Sequence, residues 1–128
     1  MRNYNKLRVY VVADQLALDV FRVTALLPQE EKYGLAAQIR KSAVSVCSNI
    51  VEGASRSSRK EYVRFLEIAY GSARELSYQL SIADRLYFLA DRSITDRSDH
   101  VVRQLSLLIR SLSCNVRTAG RTPHIRTP

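Results

Sequence analysis

Two groups of basic residues carry the chemistry that this sequence can do. Arg56, Lys60 and Arg64 step by four, with Arg59 beside them. Arg103, Arg110 and Arg117 step by seven. On a helix a step of seven drifts by only about 20°, so the second group shares one face. Arginine presents a planar fork of donors that fits a phosphate in a bidentate way, whereas lysine offers a point charge. The 128 residues hold twenty basic side chains, sixteen of them Arg, against twelve acids, a net charge of +8. The imbalance is greatest at the C-terminal end: after Asp99 no acid follows, yet Arg103, Arg110, Arg117, Arg121 and Arg126 do. A charged stripe by itself reads as a solvated face, but here the acids that would neutralise it are missing. Arg56, Arg59, Lys60, Arg64, Arg103, Arg110 and Arg117 are the candidate contacts to RNA or DNA phosphates. Binding of this kind is sensitive to salt and indifferent to base sequence.

Other chemistries find little support. A di-iron bundle needs Glu-x-x-His pairs, and neither His100 nor His124 follows a Glu at that spacing. No Gly-rich phosphate loop and no nucleophile motif is present. The sequence therefore points away from an enzyme and from any cofactor or metal. Asn49, Glu52, Glu67 and Glu75 lie near apolar stripes. They are expected to serve as caps or as ion-pair partners of Arg40, Arg64 and Arg74, because a buried carboxylate requires such a partner. Tyr4, Tyr10, Tyr33, Tyr62, Tyr70, Tyr78 and Tyr87 offer rings for base stacking, although Tyr62 and Tyr87 fall on a core seam and stacking is a weak signal here. Cys47 and Cys114 lack metal spacing and read as free thiols. With no apolar leader and no run of about 18 apolar residues, a cytoplasmic protein with no membrane contact is expected.

Four helical segments position these residues. The first, about Leu7 to Leu27, carries an apolar stripe at Val9, Ala13, Leu16, Val20, Val23 and Leu27 and a second line at Val11, Leu18, Phe21 and Ala25. It stops at Pro28, which cannot continue a helix. The second runs from about Tyr33 to Gly53, where a left-handed glycine cap is expected. Its Ser42, Ser45 and Ser48 are small enough for close helix approach. The third runs from Ser58 to about Leu89. Ser58 and Glu61 form a capping box, and Tyr62, Leu66, Ala69, Ala73, Leu76, Leu80, Ala83 and Tyr87 make a heptad seam. Gly71 inside it is expected to mark tight packing. The fourth, from Thr95 or Asp96 to Val116, carries Val101, Leu105, Leu108 and Leu112, with a second line at Val102 and Ile109. Short connections predict an all-α, antiparallel up-down-up-down four-helix bundle over residues 1–117, followed by a flexible basic tail over 118–128. The extra apolar lines predict self-association.

The chain resembles the four-helix-bundle family of 23S rRNA intervening-sequence proteins, and its relative, the accessory variability determinant of diversity-generating retroelements. The resemblance rests on Tyr33-Gly34-Leu35, Gln38-Ile39-Arg40, Ser48-Asn49-Ile50, Glu52-Gly53, Lys60-Glu61-Tyr62, Arg64-Phe65-Leu66 and Gly71-Ser72, within residues 5 to 112. It implies a homopentameric barrel and, by analogy with the relative, a basic surface for nucleic acid and a partner such as a reverse transcriptase. Two positions depart from the family pattern: Cys47 stands where Pro is usual, and Tyr10 where Trp is common. The expected function is non-catalytic binding of RNA or DNA. The alternative is a scaffold or adaptor that docks on a nucleic-acid enzyme and binds no nucleic acid itself.

Overall fold

The computed structural model describes residues 2–119, with side chains through residue 113. Four helices form, α1 (Arg8–Thr24), α2 (Leu35–Ala54), α3 (Arg59–Tyr87) and α4 (Ile94–Ala119), and no strand occurs among the described residues. The expected tail starts inside α4 at Thr118, and from residue 120 it lies outside the described residues.

The apolar periodicity turns into burial where it is most regular. In α3 the seam from Tyr62 to Ala83 is buried at every position. Val9, Ala13, Leu16, Val20 and Val23 face it from α1, and Ile39, Ala43, Val46 and Ile50 from α2. From α4 come Val101 and Leu105, with Leu108 and Leu112 partly covered. Tyr87, the last residue of the predicted seam, is instead exposed, and its hydroxyl donates to Glu31 Oε2 at 2.6 Å. The helix ends there, so the seam loses its partner.

The helices form a ring. α1 packs on α2 and α4, and α3 packs on the same two, while diagonal pairs do not meet among the described residues. Along the α3–α4 seam Ser77 donates to Asp99, whereas Glu67 and Tyr70 line one depression with Ser106 and Ile109.

Two glycine expectations are corrected. Gly53 does not take a positive φ. It lies inside α2, which continues to Ala54 and is capped by Ser55, whose N–H bonds the carbonyls of Glu52 and Gly53. Gly53 is needed for proximity: a Cβ there would lie 2.9 Å from Phe65 Cβ and 3.2 Å from Tyr62 Cδ1. Gly71 is exposed and a Cβ there would touch nothing within 4 Å, so it marks no tight packing. The left-handed cap occurs instead at Phe88 (φ 52°), whose N–H bonds Asp84 at the end of α3. Of the expected capping box the Ser58 half forms, its hydroxyl accepting the Glu61 N–H at 3.1 Å, without a return bond to the Glu61 carboxylate among the described residues.

The chain before α1 folds back on the corner between α2 and α3. Arg2 N–H bonds the Ala54 carbonyl at 3.0 Å, and its guanidinium donates to the Arg56 carbonyl at 2.8 Å while lying 4.2 Å from the Tyr62 ring.

Candidate nucleic-acid interface

The corner sorts its basic residues into two kinds. Arg56 is engaged in structure: it pairs with Glu52 one turn back, and its guanidinium lies 4.8 Å over the Phe65 ring. Arg59, Lys60 and Arg64 are exposed on the first turns of α3, and none of them makes an ion pair among the described residues. On α4, Arg103 and Arg110 are likewise exposed and without an ion pair. The Arg117 side chain lies outside the described residues.

The seam between α3 and α4 relates the two sets. Since Glu67 and Tyr70 meet Ser106 and Ile109, Arg64, one turn before Glu67, comes level with the α4 turn that carries Arg110. The same register brings Arg103 level with Arg74, and both line a groove with Ser77, Tyr78, Ser81, Asp99 and Val102. Arg74 was expected to pair with a carboxylate. It pairs with none among the described residues, and its guanidinium sits 5.9 Å from the Tyr70 ring centroid.

The expected acid partners are arranged differently as well. Glu52 pairs within the corner, and Glu67 and Glu75 are exposed. Asn49 is a helix-bound amide, donating to the Ser45 carbonyl at 2.8 Å. Ser45 Oγ in turn meets Ser72 Oγ at 2.7 Å across α2 and α3, the close approach expected of the small serines. Arg40 caps α1 instead of pairing with an acid: it donates to Thr24 Oγ1 at 2.8 Å and to the Phe21 carbonyl at 3.2 Å.

Titration behaviour fits a structural interior. Burial pushes the Cys47 thiol up to about 11, so it stays protonated and unreactive at neutral pH. Burial also raises Tyr62, against the opposing charge of Arg2. No cluster of three His, Cys, Asp or Glu able to hold a metal occurs among the described residues. No helix among them is long and apolar enough to cross a membrane.

The model of the 23S rRNA-intervening sequence protein family matches residues 5–110. The chain belongs to that family. Its fold is similar to that of a protein with unknown function from the S23 ribosomal protein family of Bacteroides thetaiotaomicron, with a TM-score of 0.70 and 24% identity. The match covers 79% of this chain and 97% of that one. No curated protein matches the sequence.

Proposed function

We propose that this family member is a non-catalytic, nucleic-acid-binding helical bundle. The observation that carries the reading is that Arg59, Lys60 and Arg64 of α3 and Arg103 and Arg110 of α4 are exposed and make no ion pair among the described residues, and that the α3–α4 register sets Arg64 level with the α4 turn that carries Arg110. Arginines that face solvent without acids are free to release the counterions of a phosphate backbone, which is the main source of sequence-independent affinity. The family takes its name from intervening sequences in 23S rRNA, which makes structured RNA the first ligand to try.

The same reading takes the bundle as antiparallel and assembled from several copies. The α3–α4 contacts support the first point, because positions advance along α4 as they recede along α3. Val11, Leu18 and Phe21 of α1 and Val44 of α2 support the second. They are 54%, 49%, 41% and 46% exposed, apolar side chains that a second copy could cover, whereas the expected α4 line, Val102 and Ile109, packs partly against the protomer's own core. A pentamer is the number the family resemblance implies. Multiplying the +8 charge over several copies strengthens the field at the basic face.

The test is retardation of a structured RNA and of duplex DNA by the full chain at about 50 mM salt, where the counterion term is strong. Binding of either supports the reading. Failure to retard any nucleic acid overturns it.

A further inference from the structure

The groove between α3 and α4 holds a second kind of chemistry. Its volume is about 550 Å³, within the range of ligand clefts, and it is open to solvent along its length. Arg74 lines it from α3 and Arg103 from α4, two guanidiniums on facing helices with no ion pair to either among the described residues. Like charges placed across a seam repel, and an anion between them converts that repulsion into two attractive contacts. The Arg74 guanidinium lies 5.9 Å from the Tyr70 ring centroid, at the outer edge of a cation–π contact.

One turn along α3, Tyr78 lines the same groove and is 66% exposed. Tyr62, on the seam, is only 3% exposed and offers no face. At this end the groove changes character: Asp99 accepts from Ser77, and Ser81 adds a further hydroxyl. A carboxylate there repels a second phosphate and accepts from a sugar hydroxyl or a base amino group. The groove thus offers a cationic clamp, then a polar edge and an aromatic face. That order matches phosphate, then sugar and base, in an unpaired nucleotide. In a duplex the base faces are covered by their neighbours, whereas single strands present them to aromatic side chains.

We propose that this groove binds single-stranded nucleic acid, with one phosphate between Arg74 and Arg103 and one base stacked on Tyr78. The inference rests on the nucleic-acid reading above and adds the strandedness and the residues.

Fluorescence anisotropy with a labelled single-stranded RNA, and with a blunt-ended, loop-free duplex of the same phosphate number, separates the two. Tyr78→Ala should weaken single-strand binding about 5- to 150-fold, the range that a stacked base supplies, and leave the duplex within about twofold. Tyr78→Phe should keep single-strand affinity, because the ring alone is needed. Tyr78 is exposed, so circular dichroism should show all variants folded. Equal weakening of both ligands by Tyr78→Ala, or no weakening, overturns the stacking site while leaving the broader reading intact. Wild-type protein that binds neither ligand overturns both.

Discussion

Arg97 Nη2 donates to Asp19 Oδ2 at 2.6 Å, joining the first turn of α4 to the last turns of α1. Both side chains are mostly covered, and Asp19 also accepts from Arg22 at 2.7 Å and Gln15 at 3.3 Å. The Arg97 bond is the main reason the Asp19 carboxyl titrates below the usual carboxylate range. Arg97→Ala should lower stability by about 1.5–3 kcal/mol, the range for a hydrogen bond to a charged group. Because the folded value is depressed, this stabilisation is present above about pH 4, where a free Asp ionises, and disappears as pH falls through the lower folded value. Thermal melts of wild type and variant should differ at neutral pH and converge in strong acid. A gap that persists in strong acid would show that the pair is not its cause.

A paired substitution tests the glycine assignments. Gly53→Val should destabilise by about 1–3 kcal/mol or more, because even its Cβ meets the Phe65 Cβ at 2.9 Å in a packed seam. Gly71→Ala should stabilise by about 0.5–1 kcal/mol, because the site is helical and exposed and the new methyl meets nothing. Chemical denaturation of the two variants should move the midpoints in opposite directions. Melts that move together would contradict the close-approach argument.

The two glycines also show how far the sequence was legible. Burial along the α3 seam follows from periodicity, which is a local property, and it held from Tyr62 to Ala83. Gly53 stands before a Ser-rich corner and therefore resembles a helix cap, yet its role is set by Phe65 and Tyr62 on the next helix. Gly71 stands mid-helix beside a core seam and therefore resembles a packing glycine, yet no neighbouring helix approaches it. The Asp19–Arg97 pair and the Arg2 contacts to Ala54 and Arg56 join residues far apart in sequence, so no spacing announces them. At the candidate site the exposed basic residues were readable from charge and pitch. That Arg56 is bound to Glu52 and Phe65, and that Arg74 shares a groove with Arg103, became visible only with the helix register in place.

The exposed apolar line tests assembly. Phe21 is 41% and Leu18 49% exposed, so Asp at either position should leave the protomer folded. In an assembled barrel the same change buries a charge without a partner and should break the assembly. Light scattering should give a multiple of 14.6 kDa for wild type and a smaller mass for Leu18→Asp, with helix content unchanged. A wild-type protein that stays at 14.6 kDa at micromolar concentration would contradict self-association.

The most direct test of the account is the salt dependence of RNA binding by wild type and by the triple variant Arg59→Gln, Lys60→Gln, Arg64→Gln. Glutamine is nearly as good a helix former as arginine or lysine, and all three side chains face solvent, so the fold should persist. Wild-type affinity should fall linearly with the logarithm of salt concentration. The variant should bind unrelated RNAs more weakly and lose roughly one unit of slope, or somewhat less, for each phosphate contact removed. An unchanged affinity and slope in the triple variant would show that the basic end of α3 is not the phosphate-binding surface.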